Sequence, residues 1–206
     1  MKTVASLALL AGSAAAFSPA ATSGRASTAV QAHPFENELG VQAPLGMFDP
    51  LGLTSDGNQK KFNVFREAEL KHGRVSMLAV TGYLVTAAGI RFPGAQDVPD
   101  GLQAFPHLME SFNGRSIIYQ MLGFFVLAEI INRDAHWTDA KAEFVGDYRN
   151  GHFDLGWDKF DEETKMKKRS IELNNGRAAM MGMWGLVTHE TMGVSILPGG
   201  YLPGHS

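Results

Sequence analysis

A twelve-residue segment occurs twice in this chain, 103 residues apart, and nothing else in the sequence restricts the fold as strongly. Arg66-Glu67-Ala68-Glu69-Leu70-Lys71-His72-Gly73-Arg74-Val75-Ser76-Met77 aligns without a gap on Arg169-Ser170-Ile171-Glu172-Leu173-Asn174-Asn175-Gly176-Arg177-Ala178-Ala179-Met180. Upstream of each copy stands a second echo, Phe48-Asp49-Pro50-Leu51-Gly52-Leu53 and Phe153-Asp154-Leu155-Gly156-Trp157. Two echoes in the same order mark a duplicated loop-plus-helix unit.

Each copy runs into an apolar stretch, Val75–Ile90 in the first and Ala178–Thr188 in the second. A third stretch, Ser116–Ala128, continues past Glu129 as Ile130-Ile131 and is not part of the repeat. None is a charge-free run of 18 residues, so hydropathy alone leaves the core helices of a soluble protein open. Pro93-Gly94 and Pro198-Gly199-Gly200 mark stops, Asp161-Glu162-Glu163 an acidic start, and Ser111 or Asn113 a cap. These signals predict helices over about 63–92, 113–133 and 163–192. The first would be about 45 Å long at 1.5 Å per residue, enough to cross a bilayer with tilt or overhang.

Charge decides between core and membrane. Eight cations fall between the second and third helices: Arg133, Lys141, Arg149, Lys159, Lys165, Lys167, Lys168 and Arg169. Lys60, Lys61, Arg66 and Lys71 precede or open the first, whereas 91–115 holds only Arg91 and Arg115 and 190–206 holds none. Three spans put every cation-rich segment on one side, as orientation in membranes requires. The expected fold is an all-α membrane protein of three transmembrane helices with the N-terminus on the cation-rich side.

The N-terminal residues read as an address. Residues 1–16 have a basic start, an apolar run and small residues, the plan of a signal peptide. Residues 17–32 are rich in Ala, Ser and Thr, carry Arg25 and contain no acid, like a transit peptide. Together they resemble the two-part presequence of plastids acquired by secondary endosymbiosis, leaving 33–206 as the helical domain. An ordinary signal followed by an unstructured N-terminus is the alternative. The chain has no cysteine, which excludes disulfide scaffolds, thiolate metal sites and cysteine nucleophiles. An isoelectric point near 6.1 argues against nucleic acid as a partner.

Glu69 and Arg74, like Glu172 and Arg177, stand at the entrance of an apolar span. Unpaired at bilayer depth, each would cost about 2.5–3.5 kcal/mol. Five residues of helix turn about 500°, so Glu69 and Arg74 lie about 140° apart and cannot pair comfortably within one helix. Two copies related by a two-fold axis along the membrane normal solve this, with Glu69 meeting Arg177 and Glu172 meeting Arg74. The first and third helices are therefore expected as a crossed pair locked by reciprocal ion pairs. Ala79, Gly82, Thr86 and Gly89, with Ala178, Gly182, Gly185 and His189, form stripes that predict close helix approach. An arginine-neutralised carboxylate keeps lone pairs, and three residues on stands a second donor, His72 or Asn175. These donors diverge, which suits a hard cation that takes one axial ligand inside its own macrocycle better than a bare ion. Magnesium in chlorophyll is such a cation.

With Glu-x-x-His-x-Arg and Glu-x-x-Asn-x-Arg each preceded by a Phe-Asp-(Pro)-Leu-Gly loop, the chain resembles the light-harvesting chlorophyll-binding proteins. The run Phe35-Glu36-Asn37-Glu38-Leu39-Gly40-Val41-Gln42-Ala43-Pro44-Leu45-Gly46 and the presequence resemble the fucoxanthin chlorophyll a/c branch. The resemblance implies that Glu69, His72, Glu172 and Asn175 hold chlorophyll magnesium, with Arg74 and Arg177 as pair partners. It also implies His189 as a further ligand, where plant relatives have glutamine. Glu129 and, more weakly, Gln120 serve the second helix, although Arg133 lies four residues beyond Glu129 rather than three. The implied cofactors are chlorophyll a, chlorophyll c and a carotenoid, fucoxanthin. The implied setting is the plastid thylakoid membrane, with its lipids, other antenna subunits and photosystem I or II as partners and the N-terminus in the stroma.

No hydrolase elbow, phosphate loop, zinc signature or dinucleotide fingerprint appears in the sequence. The absence of these motifs argues against catalysis, and the role that the resemblance implies is light harvesting. Two alternatives stay open. One is a photoprotective member of the same fold, with Asp97, Asp100, Glu110 and Glu190 as lumenal surface acids; the other is a pigment-free membrane scaffold.

Overall fold

Caps, more than apolar runs, determine where the helices begin and end. The computed structural model describes residues 33–137, 142–149 and 156–197, and the architecture is that of the unit Pro34–Ser206. The expected presequence segments 1–16 and 17–32 lie outside the described residues. Among the described residues the fold is all-helical: α1 is Gln59–Ala87, α2 Ala104–Glu110, α3 Phe112–Trp137 and α4 Glu162–Met192.

Helix α1 starts four residues before the expected position because Asn58 caps it, its Oδ1 accepting from the Lys60 and Lys61 amides at 3.1 and 3.3 Å. It also stops five residues early. Gly89 takes φ of +79°, which lets its own amide donate to Thr86 O at 3.0 Å and the Ile90 amide to Val85 O at 3.2 Å. Such a left-handed glycine closes a helix by satisfying its last carbonyls. Pro93-Gly94 therefore punctuates the following loop, not the helix. Helix α4 matches the expected third helix and closes the same way at Gly193, φ +71°. Helix α3 begins one residue before the expected second helix, with Ser111 Oγ accepting from the Gly114 amide at 2.9 Å, and runs four residues past 133. Between the first two expected helices lies α2, entered through a 3-10 turn at Gly101–Gln103.

Helices α1 and α4 pack together, α2 packs on α3, and the Gly101–Gln103 turn touches both α1 and α4. The closest approach of α1 and α4 corrects the sequence reading. It falls at Gly73 and Gly176, where a Cβ on either would stand 3.0 Å from the Cα of the other. Of the glycines in the expected small-residue stripes, only Gly182 comes near the other helix, where a Cβ would meet Val80 Cγ2 at 4.0 Å. A Cβ at Gly82 or Gly185 would meet nothing within 4 Å, and Gly89 lies outside the helix. The tightest glycine contact between the two helices thus falls within the repeat itself.

Buried apolar side chains are few. Phe35 stacks on Phe62 with ring centroids 4.2 Å apart, and Tyr83, Leu173 and Leu186 are the other large ones. Leu78, Phe124, Met181 and Trp184 are each about two-thirds exposed or more. One described helix segment, Phe112–Asn132, is long and apolar enough to cross a membrane by length and composition.

Two of the four acids expected on the surface are interior. Glu190 is buried, accepting from Tyr83 Oη at 2.8 Å and from the Leu102 amide at 2.7 Å. It thereby ties α1, α4 and the turn before α2 at one point. Asp100 is also buried, with the Arg91 guanidinium 3.7 Å away. Asp97 and Glu110 are exposed.

The glycine contact makes a direct prediction. Gly73→Val should lower stability by about 2–3 kcal/mol, because the added atoms meet backbone that cannot rotate away. Gly82→Ala should leave it unchanged or raise it by up to about 1 kcal/mol through helix propensity. Thermal unfolding followed by circular dichroism compares the two; equal effects would reject Gly73–Gly176 as the point of contact.

Candidate functional site

The functional residues of both repeats converge on the Gly73–Gly176 contact. Arg177 Nε donates to Glu69 Oε1 at 2.7 Å, and Arg74 Nε donates to Glu172 Oε1 at 2.6 Å. Each carboxylate thus meets the arginine of the opposite helix. Glu69 has a second partner, Arg66 Nη1, at 2.7 Å from Oε2. The counterpart of Arg66 in the second repeat, Arg169, lies instead over the Phe144 ring, 4.1 Å from its centroid. The two sites therefore share a plan and differ in charge: two arginines at Glu69, one at Glu172.

The loops before the two long helices complete the arrangement, and the sequence reading missed how. Gly40, φ +92°, packs against Leu173 on α4, and Gly146, φ +88°, packs against Leu70 on α1; a Cβ at either glycine would overlap that leucine. Leu70 and Leu173 are equivalent in the repeat, so each loop precedes one helix and docks on the other. Arg177 Nη1 donates to Gly40 O at 2.7 Å, and Arg66 Nη2 donates to Leu39 O. The only sequence signal was the short echo of Leu39-Gly40 in Val145-Gly146, too brief to stand out. In the Phe48–Leu53 loop, the Asp49 carboxylate accepts from the Leu53 and Thr54 amides at 3.0 and 2.8 Å. Gly52 and Gly156 hold the same left-handed backbone in the two echoed loops, while Phe153, Asp154 and Leu155 lie outside the described residues.

Three residues beyond each glutamate, the two extra donors are held alike. His72 Nδ1 lies 2.7 Å from Ala68 O. A carbonyl only accepts, so Nδ1 carries the proton and Nε2 keeps its lone pair. Asn175 Nδ2 donates to Ile171 O at 3.0 Å, which leaves Oδ1 as acceptor. Both side chains are exposed, and Ala68 and Ile171 are themselves repeat equivalents. A hydrogen bond to the preceding turn thus fixes each side chain and presents one acceptor outward. His189 has Nδ1 buried with no hydrogen-bond partner among the described residues. An unsatisfied buried nitrogen costs about 1–3 kcal/mol, a cost that a group from outside the chain would relieve.

The remaining expected site residues lie on α3. Glu129 Oε2 is 2.8 Å from Lys71 Nζ on α1, a partner that the sequence reading did not assign; the side chain of Arg133 lies outside the described residues. Gln120 is exposed, with a long 3.5 Å contact from Nε2 to Ser116 Oγ. No three His, Asp or Glu side chains gather as they would around a bare ion among the described residues.

Electrostatics hold the 142–149 loop in place. Arg149 Nε donates to Asp147 Oδ1 at 2.8 Å and Nη2 to Glu143 Oε2 at 3.0 Å. Glu143 also accepts from Lys165 Nζ at 3.1 Å and Trp157 Nε1 at 2.9 Å. The bond from Lys165, with those from Trp157 and Arg149, holds the Glu143 carboxyl below its ordinary value, and Arg149 does the same for Asp147. Burial raises the Tyr148 phenol, whose ring lies beneath the Arg74 guanidinium at 5.3 Å.

The class of protein so defined is a helical frame presenting isolated donors outward beside neutralised carboxylates. The sequence profile of the chlorophyll A-B binding protein family matches residues 35–191, and the chain belongs to that family. It is 52% identical over 201 residues to fucoxanthin-chlorophyll a-c binding protein D, chloroplastic, of Phaeodactylum tricornutum, covering 96% of this chain and 100% of that one. A fucoxanthin-chlorophyll a-c binding protein of Trieres chinensis is 48% identical over 196 residues, 92% of this chain and 94% of its own. Protein B of the same description from Macrocystis pyrifera is 40% identical over 182 residues, 83% of this chain and 79% of its own.

The loop charges predict a pH response. Carboxylates with lowered values contribute stability that is complete above their unfolded values and lost as pH falls through the folded ones. With Trp137→Phe and Trp184→Phe isolating Trp157, its emission should hold from about pH 8 to about pH 5 and shift only under stronger acid. A midpoint near about pH 6 would show that another group controls the loop.

Proposed function

We propose that this chain is a light-harvesting antenna protein that binds chlorophyll a, chlorophyll c and fucoxanthin and passes excitation to a photosystem. The observation that carries this reading is the matched pair of tethered donors, His72 and Asn175, each beside a carboxylate neutralised from the opposite helix. In the proposed arrangement α1, α3 and α4 cross the thylakoid membrane, with the N-terminus in the stroma after removal of 1–16 and 17–32. Helices α1 and α4 form the crossed pair, locked by Glu69–Arg177 and Glu172–Arg74.

In this reading Glu69, His72, Glu172, Asn175, His189, Glu129 and Gln120 would hold chlorophyll magnesium, with Arg74 and Arg177 as counter-charges. The donor chemistry fits: each offers one oxygen or nitrogen, and the negative charge is offset by one arginine at Glu172 and by two at Glu69. Exposed apolar side chains on every long helix supply the walls, and lipid, other antenna subunits and the photosystem cover what the pigments do not. The pigments, when bound, supply the light-absorbing electronic states. The chain's task is to fix their spacing, with rigid helices and charge-balanced ligands, and it makes or breaks no bond.

A fluorescence excitation spectrum of the protein extracted mildly from its membrane, monitored at chlorophyll a emission, tests the function. Bands of fucoxanthin and chlorophyll c should appear in proportion to their absorption. Absorption without matching excitation bands would reject the antenna role, and absence of pigment would reject binding. The helix lock has its own test in Arg74 and Glu172, chosen because Glu69 also binds Arg66. Arg74→Glu or Glu172→Arg alone should destabilise the pigment-loaded protein by about 3 kcal/mol, and the double reversal should recover part of that loss. A double no better than the singles would reject the lock.

A further inference from the structure

Glu129 lies between Val126-Leu127-Ala128 and Ile130-Ile131 on a helix whose apolar side chains are exposed. Such a carboxylate needs a counter-charge, and the structure supplies one from another helix. Lys71 Nζ on α1 is 2.8 Å from Glu129 Oε2, and no other described side chain lies in an ion pair with Glu129. Lys71 also reaches Glu67 Oε1 at 3.3 Å and lies 5.8 Å from the Tyr148 ring centroid. Tyr148 Oη in turn donates to Glu67 at 3.3 Å. The ammonium is thus held between its own helix and the 142–149 loop, aimed at α3. Glu129 Oε1 has no partner among the described residues.

The repeat sharpens the point. The equivalent of Lys71 is Asn174, which carries no charge and donates to Gln42 Oε1 at 2.9 Å. The two halves of the molecule diverge at the position that faces α3. Packing does not join α3 to α1 as it joins α1 to α4, so among the described residues Lys71–Glu129 is a polar link between them. We infer that Lys71 is a positioning residue for a chlorophyll on α3: it neutralises Glu129 from the neighbouring helix, leaving Oε1 as a charge-balanced axial donor. Loading of that site then depends on α1 and α3 being in register. The inference rests on Glu129 being a magnesium ligand.

The full chain refolded with chlorophyll a, chlorophyll c and fucoxanthin provides the test, with pigments counted per polypeptide and helicity checked by circular dichroism. Glu129→Leu should lose one chlorophyll, and Lys71→Met should lose the same one. Lys71→Arg, and the neutral pair Lys71→Met with Glu129→Gln, should recover it, because the first keeps the counter-charge and the second removes the unbalanced carboxylate. A purely structural lysine would not be rescued by neutralising its partner. Full pigment in Lys71→Met alongside a loss in Glu129→Leu would overturn the role of Lys71 and keep Glu129 as a ligand. Full pigment in Glu129→Leu would instead remove Glu129 from the ligand set. If Lys71→Met does not refold, failure of the double variant to recover the chlorophyll overturns the proposal.

Discussion

Everything in this fold depends on two glycines. Gly73 and Gly176 let α1 and α4 approach until a single Cβ would be too much. An arginine side chain is long but finite, and Arg74 reaches Glu172 at 2.6 Å, with Arg177 reaching Glu69 at 2.7 Å, only because the backbones are that close. The ion pairs sit on either side of the glycines in sequence, so close approach and charge pairing reinforce each other. Five residues place Glu69 and Arg74, like Glu172 and Arg177, on different faces of their own helix, so those pairs form only across the two helices, while Arg66 adds a contact to Glu69 from α1 itself. Two copies of the repeat thus complete at one junction the Arg74–Glu172 and Arg177–Glu69 pairs.

The loops add a second layer to the same junction. Leu39–Gly40 is held by Arg66 and Arg177, which also bind Glu69. Gly146 rests on Leu70 beside Arg74. Each guanidinium thus divides its donors between a carboxylate and a backbone carbonyl or an aromatic ring, a use that suits the planar fork of arginine better than a lysine ammonium. Anchored this way, the pair keeps its geometry with few buried apolar side chains.

That scarcity has a consequence for the rest of the molecule. Apolar area stabilises a fold only when it leaves water, at about 25 cal/mol per Å², yet Leu78, Phe124, Met181 and Trp184 remain uncovered by protein. Helix α3 packs on α2 and reaches α1 through Lys71–Glu129. The polypeptide alone leaves these surfaces uncovered, which is the condition expected of a carrier whose cargo is bulkier than any side chain. At the other end of the pair, buried Glu190 gathers Tyr83 and the Leu102 amide. The frame is thus polar at its joints and apolar on its outer faces.

The sequence by itself determined the duplicated unit, the all-helical class, the family and the crosswise partners of Glu69 and Glu172. These are legible because a repeat with fixed offset carries its pairing rules with it, and because helical periodicity forbids the local alternative. Helix starts were legible to within a few residues, since Ser111 and Asp161 are local cap signals. Tertiary structure decided the rest. Gly82, Gly89 and Gly73 look alike in sequence; one faces open space, one turns a helix end and one makes the contact, and only the placement of α4 separates them. Asp100 and Glu190 read as surface acids because nothing local says that the turn before α2 folds back over them. Lys71 read as one cation among several until α3 brought Glu129 to it. Local interactions are written within a few residues and can be read there, whereas contacts between distant segments depend on where the whole chain puts them.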